Sequence, residues 1–255
     1  MATIALAGKG GTGKTTVAAL IVRHLVKSGG TVLAVDADPN TNLSEALGLP
    51  AQETVGQVIE DLMRNLETLP IGMTKDVYME YNVQRVVSEG PQFDMISMGR
   101  PEGQGCYCYP NSLVRKYMDM LAQNYDHVVA DNEAGMEHLS RRTTQEVDLL
   151  VIVADAKVRG VSIAQHLGHL VDELRIGVKR KILVVNQAGE TLPEPVMRAI
   201  EASGLEFAGT VPPDEGIEWC DLEGRSVFEL PDDNPAVLAV AGIVDRGLAE
   251  IGVGV

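Results

Sequence analysis

The chain has 255 residues, with 21 basic and 36 acidic side chains and a formal charge of −15. That length suits one large or two small domains, and the acidic excess disfavours nucleic acid or an anionic membrane as a partner. An apolar content of 45% excludes a disordered chain, and only three cysteines exclude a disulfide-stapled secreted scaffold, so a reducing, cytoplasmic setting is expected.

In chain order, the first apolar run, residues 3–7, predicts a strand; without a basic segment before it, and with Gly8 ending it, it does not form a signal core. Further strands are predicted at residues 31–35, 93–98, 127–131, 149–154, 181–186 and 206–211, each rich in Val, Ile, Leu or Ala. Between them lie helical patterns. Leu113, Tyr117 and Leu121 recur every four residues beside Val114 and Met118, with Asn111 and Ser112 offering the N-cap. The last helix opens at Asn234 and Pro235 and runs to about residue 251. Residues 50–92 carry helical stretches around 55–66 and 76–87 but no nameable chemistry, and read as a surface insertion. The longest apolar stretches, 149–154 and 236–244, are far below the roughly 18 residues that span a bilayer. Strands alternating with helices, with no linker or repeat, predict one α/β domain over residues 1–255. Its mostly parallel sheet has about seven strands and helices on both faces.

Directly after the first strand stands Gly8-Lys9-Gly10-Gly11-Thr12-Gly13-Lys14-Thr15-Thr16, followed by an amphipathic helix. This is the P-loop pattern G-x-x-x-x-G-K-[ST] in its required context. Glycines let backbone N–H groups turn toward anionic oxygens, and the helix N-terminus adds its dipole. Lys14 neutralises β- and γ-phosphate charge, and the Thr15 hydroxyl suits Mg²⁺. The expected fold is therefore a P-loop NTPase. Two more strand ends carry carboxylates: Asp36-Ala37-Asp38-Pro39 after the second, and Asp131 after the apolar run 128–130, the position at which a carboxylate holds Mg²⁺ through water.

Lys9, with Gly10, Gly11, Gly13, Lys14 and Thr15, makes the loop resemble the deviant Walker A motif of the MinD/ParA/nitrogenase-iron-protein ATPases. That resemblance implies a homodimer closed around ATP, with Lys9 reaching the phosphates bound by the other subunit. It also implies that Asp38 orients the attacking water, that Asp36 supports the metal shell, and that Asn186 meets adenine. Pro212-Pro213-Asp214 matches the second base-contacting loop, and no Asn-Lys-x-Asp guanine pattern follows Asn186.

Cys106-Tyr107-Cys108 falls in a Gly- and Pro-flanked loop before a helix, where the helix dipole favours the thiolate form that binds metal. One pair supplies two ligands where thiolate-bound ions usually take four, and two subunits would complete a Cys₄ or square-planar site on the two-fold axis. With Asn111-Ser112-Leu113 and the stretch from Asp131 to Arg141, the loop resembles the CooC-type accessory ATPases of nickel-dependent carbon monoxide dehydrogenase. The resemblance implies nickel or zinc bound between subunits by Cys106 and Cys108, with ATP hydrolysis to ADP accompanying nickel delivery. The client is that enzyme or acetyl-CoA synthase, and nothing in the sequence separates the two.

Other residues carry less. Cys220 reads as a packed thiol, and His166 and His169 share a helix face without a third ligand. Glu133, Glu137 and His138 follow Asp131 where nucleotide state would be reported. Two other functions fit a loop of this kind: a partition or division-site ATPase, and an iron-sulfur electron donor. The first is disfavoured by the −15 charge, the second by the absence of cysteine at 132–135.

Overall fold

The apolar runs lie side by side in the computed structural model, which describes residues 1–38, 42–50, 53–64, 74–99, 108–132 and 146–254. β1 (Ala2–Gly8) is buried along its whole length and sits between β5 (His127–Asn132) and β6 (Glu146–Asp155). Beyond β5 come β2 (Val32–Ala37), β4 (Phe93–Ser97) and a two-residue β3 (Ser88–Glu89). Beyond β6 come β7 (Gly177–Asn186) and β8 (Glu206–Val211).

The order is β3-β4-β2-β5-β1-β6-β7-β8, and every pairing is parallel except β3 with β4. About seven strands were expected and the described residues form eight. The extra one, β3, is too short to show a period-two pattern and exists only because it pairs with β4.

Side-chain alternation on the strands builds two layers. Ile4 and Leu6 join Leu20, Ile21 and Leu25 of α1 (Lys14–Lys27) and Val240, Val244 and Leu248 of α9 (Pro235–Ala249). Ala5 and Ala7 face the opposite way, toward α6 (Val158–Glu173) and α7 (Glu194–Ser203). On that same side, Leu33 and Val35 of β2 and Val128 and Ala130 of β5 are covered by α3 (Val55–Arg64), α4 (Lys75–Arg85) and α5 (Cys108–Ala122). The short helices α2 (Leu43–Leu47) and α8 (Glu215–Glu223) complete the fold near the loops.

Three expectations change. The described part of 50–92 is not confined to the surface: Val55, Val58, Ile59, Leu62, Met79 and Val83 are buried and belong to one of three core clusters. Their role depends on an uncovered half-sheet, which no local pattern announces. Second, α5 begins at Cys108, ahead of the cap read at Asn111 and Ser112. Pro110 then lies in the first turn, where its missing N–H breaks no helical hydrogen bond. Third, β6 and β7 start earlier than their apolar runs, at Glu146 and Gly177. Asn234 caps α9 as expected, its Oδ1 accepting the N–H groups of Ala236 and Val237 at 2.9 and 3.1 Å. Among the described residues no helix is long and apolar enough to cross a membrane.

Candidate nucleotide site

Every strand that carries a candidate residue ends on one edge of the sheet. Leu6 of β1 and Asp36 of β2 both pair with Asp131 of β5, so Asp36 and Asp131 stand side by side where β1 runs out into the glycine loop. Thr12 turns that loop back on itself, its N–H and its hydroxyl donating to the Lys9 carbonyl at 3.3 and 2.8 Å. Gly13, at φ 79°, precedes α1 in the left-handed region, which favours glycine. Lys9 is exposed, whereas Lys14 is only 6% exposed although it is a cation.

The Thr15 hydroxyl donates to Asp131 Oδ2 at 2.6 Å. The other carboxylate oxygen, Oδ1, is buried with no hydrogen-bond partner among the described residues. A buried orphan oxygen beside a threonine hydroxyl fits a hard cation such as Mg²⁺, which takes oxygen ligands and keeps several waters. Asp36, expected to support the metal shell, bonds the neighbouring backbone. Its Oδ1 accepts the N–H of Asp38 and its Oδ2 that of Leu43, each at 3.0 Å. Each oxygen accepts a backbone N–H, so Asp36 holds the chain that carries Asp38.

Burial pushes the Asp36 carboxyl up to about 7, against the two N–H bonds that favour its ionised form, and repulsion from Asp131 and Asp38 adds to the rise. Burial also raises Asp131, to about 6, although the Thr15 bond and the Lys14 charge pull it down. These shifts have a sign. From 3.8 upward the unfolded chain releases both protons while the folded protein keeps them, so stability falls as pH rises, until about 6 for Asp131 and about 7 for Asp36. The slope reaches about 1.4 kcal/mol per pH unit for each carboxyl. Urea midpoints measured from about pH 5 to pH 8, without nucleotide, are expected to fall more steeply for the parent than for an Asp36→Asn, Asp131→Asn variant. Parallel profiles would show that these carboxyls titrate normally.

A cavity of about 560 Å³ opens above the loop. Gly10, Gly11, Gly13, Lys14, Thr15 and Thr16 form its floor. One wall is Asp38 with Asn42, Glu45 and Ala46 of the α2 region, and the other is Ile217, Cys220 and Asp221 of α8 with Arg225. Asn186, Pro212 and Asp214, expected at the base, are not among the residues that line the cavity. Asn186 Nδ2 donates to the Thr12 carbonyl at 2.9 Å, and the cavity wall beside it is Gln187. Asp214 caps α8 by accepting the N–H of Ile217 at 3.0 Å, and Pro212 is half-buried after β8. The sequence reading missed α8 as a wall, though Ile217, Cys220 and Asp221 recur at the three- and four-residue spacing of one helix face.

Cys220 is a packed thiol, 2% exposed, with its Sγ 3.7 Å from the Ser226 carbonyl oxygen. Among the described residues no group of three or more His, Cys, Asp or Glu is arranged to hold a metal, His166 and His169 included. Cys106, Glu133, Glu137 and His138 lie outside the described residues, and Cys108 is described only as the first residue of α5.

A parallel sheet whose first strand feeds a glycine loop into a helix, with a threonine hydroxyl bonded to the aspartate ending a neighbouring strand, defines a P-loop nucleoside triphosphatase fold. The chain belongs to the CobQ/CobB/MinD/ParA nucleotide-binding domain family, whose model matches residues 3–227. It is 39% identical over 245 residues to an uncharacterized ATP-binding protein of Methanocaldococcus jannaschii, covering 95% of this chain and 97% of that one. It is 30% identical over 239 residues to the carbon monoxide dehydrogenase accessory protein CooC of Rhodospirillum rubrum, with 89% of each covered. Its fold resembles the cell division ATPase MinD of Pyrococcus furiosus, with a TM-score of 0.71 at 18% identity over 98% of this chain and 99% of that one.

Proposed function

We propose that this protein is an ATP-hydrolysing, nucleotide-dependent homodimer. In this reading it binds nickel, or zinc, through Cys106 and Cys108 of both subunits and assists nickel insertion into carbon monoxide dehydrogenase or acetyl-CoA synthase. The observation that carries it is the similarity to CooC along 89% of the chain, in a sequence that also holds Lys9 and Cys106-Tyr107-Cys108. The topology supports it. β4 pairs Ser97 with Asp36, so that strand ends at the same sheet edge as the phosphate loop, and the next described helix, α5, begins at Cys108.

In hydrolysis a water oxygen bonds to the γ-phosphorus as the bond to the β–γ bridging oxygen breaks, giving ADP and phosphate. Asp38, at the cavity wall, orients that water, and Lys14 at the floor and Lys9 of the other subunit offset the charge that develops on the phosphate oxygens. Mg²⁺ would be held by Thr15 and, through water, by Asp131, supplying further charge neutralisation on the β- and γ-phosphates. Adenine would lie toward Gln187 and α8, near the strand ends that carry Asn186, Pro212 and Asp214. Nickel is cargo in this scheme.

Metal analysis of the anaerobically reduced protein, with and without ATP, alongside its mass in solution, tests the proposal. One nickel or zinc per dimer is expected, gained on dimerisation. It should be lost in a Cys106→Ser, Cys108→Ser variant that keeps at least about half of the parent's ATP turnover. Equal nickel affinity in parent and variant would refute the cysteine site. A brown protein with four irons per dimer would favour the electron-donor reading, and ATP-dependent pelleting with duplex DNA or liposomes the partition reading.

A further inference from the structure

Asn186 ends β7, two strands away from β1, yet its side chain reaches the phosphate loop. It is 7% exposed, and Nδ2 lies 2.9 Å from the Thr12 carbonyl oxygen. A carbonyl only accepts, so the amide nitrogen must face it and the amide oxygen must face away. The contact is also tight, since a Cβ at Gly13 would stand 2.2 Å from Nδ2. The strand end that mounts Asn186 is itself fixed, Asp155 pairing with it on β6 and the Ala188 N–H donating to the Val211 carbonyl at 3.0 Å.

This grip sets the direction of a donor. Carbonyl and N–H of one trans peptide point in opposite directions, and the described residues contain no cis bond. With the Thr12 carbonyl turned toward Asn186, the Gly13 N–H of the same peptide is turned away from it. Gly13 lines the cavity floor, whereas the cavity wall next to Asn186 is Gln187.

We infer that Asn186 is a positioning residue for phosphate recognition: its amide holds the Thr12–Gly13 peptide so that the Gly13 N–H is presented to the triphosphate, whatever base is attached. The inference rests on reading the loop as a nucleotide site and is independent of nickel and of the cysteine pair. It differs from a direct adenine contact, because a residue that only touches the base has no effect on a ligand without one.

Inorganic tripolyphosphate is that ligand. Its affinity and that of ATP are to be measured by displacement of a fluorescent ATP analogue from the full chain, for the parent, Asn186→Ala and Asn186→Asp. Asn186→Ala is expected to weaken tripolyphosphate and ATP by the same factor, about tenfold, at a melting temperature within a few degrees of the parent. Asn186→Asp keeps the volume against Gly13 but sets an oxygen against the Thr12 carbonyl, and should weaken both ligands at least as much. A well-folded variant of either kind that loses ATP affinity but binds tripolyphosphate like the parent overturns the inference in favour of a base contact. Unchanged affinity for both ligands overturns it as well. The matched loss would stand even if metal analysis found no nickel.

Discussion

Lys14→Met is expected to lower ATP turnover by about a hundredfold to a thousandfold while leaving the protein folded. The side chain is 6% exposed, at the N-terminus of α1 and on the cavity floor. In the proposed site an ammonium so placed would offset the charge that grows on the β- and γ-phosphate oxygens, and the surrounding protein screens it less than water would. Methionine keeps much of the stem's volume and removes the charge. A second consequence follows from the neighbouring carboxyl. The Lys14 charge is one of the influences that lower Asp131, so without it Asp131 moves further above 6 and a larger fraction is protonated at neutral pH. Weaker Mg²⁺ dependence of nucleotide binding should therefore accompany the loss of turnover. Phosphate release under saturating ATP, with thermal melting as the folding control, measures the main effect; turnover within threefold of the parent would remove Lys14 from the catalytic set.

Asp36→Ala should cost about a hundredfold in turnover with ATP affinity within about threefold of the parent, an effect on kcat rather than on binding. Its two oxygens accept the N–H groups of Asp38 and Leu43 and thereby hold the start of the cavity wall that carries Asp38, Asn42 and Glu45. Without those bonds the Asp38 carboxylate loses its register, and a displacement on the order of 1 Å at a water-orienting group is enough for a loss of this size. Asp36→Asn retains one acceptor and should fall between the two. Its pH–turnover profile should also lose any limb near 7, the value to which burial raises Asp36. If Asp36→Ala instead raised the Mg²⁺ requirement and left saturated turnover intact, Asp36 would belong to the metal shell after all.

The same two carboxylates show where the sequence was sufficient. Asp36 and Asp131 were legible as strand-terminal acids because each closes an apolar run, and parallel strands of one sheet bring such ends to one edge. Their division of labour was not legible: the spacing from Asp36 to Leu43 does not state that the Leu43 N–H will meet the second oxygen. Asn186 is a similar case. Resemblance drew attention to it as a base contact, while the structure joins it to Thr12 across 174 positions of chain.

By itself, the sequence determined the α/β class, the bounds of the major strands to within a few residues, the phosphate loop and the cap of the last helix. These are local matters: burial on both faces demands continuous apolar runs, an inward-facing loop demands glycine, and a helix start favours a side-chain acceptor such as Asn234. Only the tertiary structure decided that α3 and α4 are core rather than surface, that β3 forms an eighth strand, that α8 walls the cavity, and that Asp36 and Asn186 hold backbone in place. Each of those depends on contacts between residues distant in the chain, whose partners are selected by the sheet order and by which half of the sheet remains to be covered.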